Sequence, residues 1–184
     1  MPFMNDSLKS YIKQYTELEL GMRELINRKG NSLCGQCTRC CCDVIHCTYA
    51  MESPFLKLVH QQEEIFDAKE GFLTPTGCAL EKGRPSICYE YFCDDHFYNQ
   101  PDELHAEILK IIGSLLNHAT RNALGEIPLE DIMKEEDFSR LDFHQLGTQM
   151  NESLQALKII QTFYKEGTMP ETSLQVLRQI HLGE

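Results

Sequence analysis

Apolar residues recur at helical spacing near the start of the chain. Leu8, Ile12, Tyr15, Leu18, Met22, Leu25 and Ile26 share one face, with Lys and Glu on the other. This predicts an amphipathic helix over residues 5–29, with Asp6 or Ser7 placed to cap it and Gly30 to end it. Gly35, Pro54, Gly71, Pro75, Gly77, Gly83 and Pro85 break the next zone, residues 30–97, into loops. One helix interrupts it. Ser53 and Pro54 form an N-cap and N1 pair, and Phe55, Leu58, Val59, Ile65 and Phe66 give an apolar stripe before Gly71. Short extended pieces are expected near Phe72–Leu73 and from Ile87 to Phe92.

Residues 98–184 read as helices throughout. Gln100-Pro101 opens a long one, with Leu104, Ile108, Ile111, Ile112, Leu115, Leu116, Ala119 and Ala123 on one face and an end near Gly125. Pro128 opens a short helix to about Glu136. A helix over Asn151–Lys165 ends at Gly167, and Pro170 opens the last, with Leu174, Leu177 and Ile180 facing in. The fold class is therefore mainly α: a helical bundle enclosing an irregular module over residues 30–97. Its 184 residues suit one domain without a second core, divided as 5–29, 30–97 and 98–184.

Charge narrows the partners. Lys and Arg number 17 against 28 Asp and Glu, a net −11. Such a chain is repelled by phosphate backbones and by anionic membrane surfaces, so no nucleic-acid or membrane partner is expected. The most apolar stretch, Ile108–Leu116, contains Lys110 and falls far short of the ~18 residues of a membrane span. The first residues show no apolar signal-peptide region. The expected location is the cytoplasm, where thiols stay reduced.

That matters because of nine cysteines, Cys34, Cys37, Cys40, Cys41, Cys42, Cys47, Cys78, Cys88 and Cys93, all between residues 34 and 93. An odd number cannot pair completely, and so dense a cluster in a reducing compartment points to metal binding or redox chemistry. Cys34, Cys37 and Cys40 repeat at C-x2-C spacing, which turns successive sulfurs toward one ion. Cys41 extends the run, and Cys78 and Cys88 lie on a second segment able to close the shell. These six are the candidate metal ligands. Thiolates are the ligands of zinc and of iron–sulfur clusters, and the spacing leaves both open. Two separated C-x2-C pairs of a zinc ribbon are absent, and the thiols outnumber what one tetrahedral ion uses, which favours the cluster. Cys42, Cys47 and Cys93, with His46 and His96 beside the last two, are further candidates. Residues 30–97 also hold ten acidic against five basic side chains, so thiolates there need a cation. Arg39 and Arg84 are placed to offset anionic charge.

The order C-x2-C-x2-C-C, then G-C-x-L and R-P-x-x-C, resembles the CxxCxxCC cysteine-cluster family, a YkgJ-type zinc- or iron-chelating domain. Cys34, Cys37, Cys40 and Cys41 match its first motif; Gly77, Cys78, Arg84, Pro85 and Cys88 match its second. The likeness spans residues 34–93. Thr38 stands where the family has Gly, and the Tyr of its I-Y-x-x-R-P segment has no counterpart. The resemblance implies a metal-chelating module.

The aromatic run Tyr89, Tyr91, Phe92, Phe97 and Tyr98 is expected to wall the metal from water. The other histidines, His60, His105, His118, His144 and His181, read as surface or core residues. No G-x-G, G-x-S-x-G or H-E-x-x-H motif supports a familiar catalytic site. Three functions follow as expectations. The first is an iron–sulfur protein handling electrons or sensing redox state. The second is a zinc-stabilised scaffold for a protein partner, without catalysis. The third is a cluster-assisted modifying enzyme.

Overall fold

The computed structural model describes residues 5–30, 43–74, 77–92 and 97–182. It is mainly helical. Helix α1 spans Asp6–Gly30. Its cap is Asn5 rather than Asp6 or Ser7: the Asn5 carboxamide oxygen accepts the Leu8 N–H at 2.8 Å. Tyr11, Tyr15, Leu18 and Met22 are buried along its inner face.

The cysteine zone holds more helix than its sequence suggests. Helix α2, Val44–Glu52, was not anticipated; Asp43 caps it by accepting the Ile45 N–H. Helix α3, Pro54–His60, starts on the expected Ser53–Pro54 pair but stops at His60. There Gln61 turns left-handed (φ 53°), so Ile65 and Phe66 fall outside the helix, in and after a 3-10 turn over Glu63–Ile65. Strands β1 (Leu73–Thr74) and β2 (Gly77–Cys78) pair antiparallel, Leu73 opposite Cys78. Ile87–Glu90 is a one-turn helix, α4, not the extended piece expected.

Three helices complete the chain: α5 (Glu103–Thr120), α6 (Phe143–Glu166) and α7 (Glu171–Leu182). Asp102 caps α5, later than Gln100-Pro101 implied, and α5 ends at Thr120, before Gly125. Helix α6 begins eight residues before Asn151 because Asp142 accepts the His144 and Gln145 N–H groups. Pro128 opens a 3-10 turn over Leu129–Asp131, and Glu135–Arg140 is also 3-10, in place of one α-helix. The buried pair there, Leu129 and Ile132, is spaced by three, the period that 3-10 geometry satisfies.

The core lies where α5 packs on α6 and α7 and α1 packs on α5 and α6. Ile108, Ile111, Leu115, Ala156, Ile160 and Leu177 are fully buried there. The cysteine zone is attached to this bundle at two seams. Helix α3 packs on α1 and on the Leu129–Asp131 turn, with Tyr15 edge-on to Phe55 at 5.1 Å. Helix α4 packs on α5 at Gly113, where a Cβ would stand 2.5 Å from the Tyr89 carbonyl oxygen. Only a residue without a side chain lets the backbone of α4 come so near.

Candidate metal centre

Three cysteines of the described segments come from three elements. Cys47 is buried on the inner side of α2, Cys78 is half-buried on β2, and Cys88 is exposed on α4. All three are free thiols. Gly71 and Phe72, just before β1, approach Cys47. Phe72 donates its N–H to the Cys47 sulfur. Gly71, at φ +64°, leaves room for the same thiol: a Cβ there would lie 2.7 Å from Sγ. A side chain at 71 would therefore be strained by its backbone and would strike Cys47.

The thiols act on one another. Burial pushes the Cys47 thiol up, and Cys78 adds to the rise. Cys88 is raised to about 12, first by desolvation and then by Cys78, although its residue surface is open to solvent. The exposure says that the site is accessible. The direction of the two shifts says that Cys47 and Cys88 resist ionisation unless a cation joins them. Arg84 supplies one cation nearby. Its guanidinium donates to the Leu80 and Cys78 carbonyls, both at 3.1 Å, and lowers both the Cys47 and Cys88 thiols. It is a staple across the 78–84 loop rather than a solvated side chain.

Two buried carboxylates fix the rest of that loop. Glu19 of α1 is fully buried and accepts the Gly83 N–H at 2.6 Å, the Arg84 N–H at 3.0 Å and the Tyr89 hydroxyl at 2.7 Å. Glu130 accepts the Tyr15 hydroxyl and the Ser86 N–H, both at 3.0 Å. Its own backbone carbonyl accepts the Ser53 hydroxyl at 2.8 Å. The stretch Gly83-Arg84-Pro85-Ser86, between Cys78 and Cys88, is thus held from both sides. Desolvation raises both carboxyl groups, Glu130 to about 7, against the hydrogen bonds that lower them.

Neither glutamate was singled out from sequence. Glu19 carried a signal, since at about 100° per residue it falls inside the arc bounded by Leu25 and Ile12. Glu130 carried none, because its turn has too few residues for a period.

Cys34, Cys37, Cys40, Cys41 and Cys42, with Arg39, lie outside the described residues, as do Cys93 and His96. Among the described residues, no group of three or more His, Cys, Asp or Glu is arranged to hold a metal ion. The expected aromatic wall is corrected in part. Tyr89 is buried against Glu19 and Phe92 meets Phe97 edge-on at 6.0 Å, but Tyr91 and Tyr98 are 61% and 83% exposed. His60 is structural: its Nδ1 accepts the Gln62 N–H, and its Nε2 lies 3.3 Å from the Ala50 carbonyl. No family description, curated protein or solved structure matches the chain.

Proposed function

We propose that the chain is a metal-binding protein whose centre is an iron–sulfur cluster held by cysteines. Cys34, Cys37, Cys40 and Cys41 would supply one side, and Cys78 and Cys88 the other, in the manner of the CxxCxxCC family it resembles. The observation that carries this reading is that Gly71 packs on the Cys47 thiol, Leu73 two residues on pairs with Cys78, and Arg84, on the loop that leads to Cys88, binds the Cys78 carbonyl. The buried carboxylates of Glu19 and Glu130 hold the loop that joins Cys78 to Cys88. A fold that buries carboxylates to fix one loop gains rigidity at that loop, which is what a preorganised ligand set needs.

Cys47 stands with this group although its spacing made it a secondary candidate. Its hydrogen bond from Phe72 resembles the support that cluster and thiolate sulfurs receive from backbone N–H groups. The centre would serve electron handling or redox sensing, since nothing in the described segments assembles a recognisable catalytic set. The test is a visible spectrum with acid-labile sulfide analysis on protein purified without oxygen. Broad absorbance with sulfide matching iron is the expected result. A colourless protein holding stoichiometric zinc and no sulfide would replace the cluster with a structural site, and metal-free protein would remove the proposal.

A further inference from the structure

We propose that a second site, an open pocket of about 380 Å³ beside α4, binds a small organic amine. The ammonium would sit between Glu90 and Asp131, and the hydrocarbon against Ile45 and Ile87. The volume lies at the lower end of the roughly 300–1,000 Å³ of small-molecule pockets. Ile45 and Ile87 line it while 65% and 40% exposed, so each presents apolar surface that no other part of the described chain covers.

The polar lining decides the ligand's charge. Glu90 extends from α4 and is oriented by Asn117 of α5, whose Nδ2 donates to it at 2.7 Å. Asp131 lies on the Leu129–Asp131 turn and accepts the hydroxyl of Tyr49 from α2. Both donors are neutral. Among the described residues neither carboxylate has an ion-pair partner, and His46 is the only basic residue of the lining. Of the three acidic residues in the lining, Glu130 is buried and turned to the Tyr15 hydroxyl and the Ser86 N–H, while Glu90 and Asp131 are exposed and held by groups that fix their direction without neutralising them. A bare metal ion gains nothing from apolar walls, and an anion is repelled. An ammonium on a hydrocarbon stem satisfies both surfaces, and the net charge of −11 favours its approach.

The test uses the whole chain with carbon-13 at its isoleucine δ1 methyls. Titration with n-hexylammonium chloride should shift Ile45 and Ile87 saturably and leave the exposed Ile65, outside the pocket, unmoved. Hexanol should bind at least about tenfold more weakly, and hexanoate not at all. The double variant Glu90→Gln, Asp131→Asn should also weaken hexylammonium by about tenfold or more. Both positions are exposed and each amide oxygen can keep its neutral donor, so the fold should survive. Equal response to hexanol and hexylammonium, or no saturation at Ile45 and Ile87, would overturn the proposal. Were the double variant to unfold, the probe series on the parent chain still decides between the outcomes.

Discussion

Replacing Glu19 by Ala should loosen the cysteine module at its attachment to the bundle. The substitution strips partners from two backbone N–H groups, of Gly83 and Arg84, and from the Tyr89 hydroxyl. Glu19 and Gly83 are buried, and Tyr89 is 3% exposed, so water cannot freely replace the lost acceptor. Each buried unsatisfied donor costs about 1–3 kcal/mol. Against this stands the relief of removing a carboxylate that burial already disfavours, as its raised pKa records. The balance is a loss of about 3 kcal/mol. With a urea slope of about 2 kcal/mol per molar, the midpoint should fall by about 1.5 M. Glu19→Gln keeps the shape and one acceptor oxygen but aims an amide N–H at donors, so it should lose about 1–2 kcal/mol. Glu17→Ala, exposed on the same helix, is the control and should stay within about 0.5 kcal/mol of the parent. Equilibrium urea unfolding followed by circular dichroism reads all three. Should Glu19→Ala cost no more than Glu17→Ala, the clamp does not hold the loop and the reasoning fails.

The remaining predictions are smaller. Glu130 has a folded pKa of about 7 against 4.5, so the folded state keeps a proton that the unfolded chain releases. Its contribution is present below pH 4.5 and is lost as pH rises through about 7, at most about 3 kcal/mol. The stability difference between the parent and Glu130→Gln, measured by urea at several pH values, should move in favour of Gln across that window; a constant difference would show that Glu130 does not titrate with folding. Gly113→Ala sets a methyl against the Tyr89 carbonyl oxygen and should cost about 1–3 kcal/mol by thermal unfolding, while Gly147→Ala, with open space around it, should cost far less. Tyr11→Phe removes the hydroxyl that donates to the buried Ala119 carbonyl at 2.6 Å and should lower stability by about 1 kcal/mol; no change in the urea midpoint would mean that this bond is idle.

What the sequence made legible follows from how local the cause of each element is. Helix α7 declared itself, since Pro170 precedes it and Leu174, Leu177 and Ile180 fall on one face, all buried. The start of α3 declared itself through Ser53 and Pro54. Helix α2 did not, because its apolar face is made of Cys47 and Ala50, which carry little periodic contrast. The stretch from Ile87 to Phe92 read as extended from its aromatic and β-branched residues. Tertiary contacts override that preference: Gly113 admits the backbone, and Glu19 captures Tyr89. The same holds at the candidate centre. The cysteine spacing displayed the thiols, but the carboxylates that fix their loop come from α1 and from the Leu129–Asp131 turn. Only the fold brings those together.

The most direct test of the account compares metal-to-protein ratios after anaerobic purification, for the parent chain and for the variant Cys78→Ser, Cys88→Ser. The account predicts bound iron in the parent and loss of most of it in the variant, together with a lower melting temperature, because metal-binding energy stabilises the folded state. A parent without metal, or a variant that keeps its full complement, would contradict it.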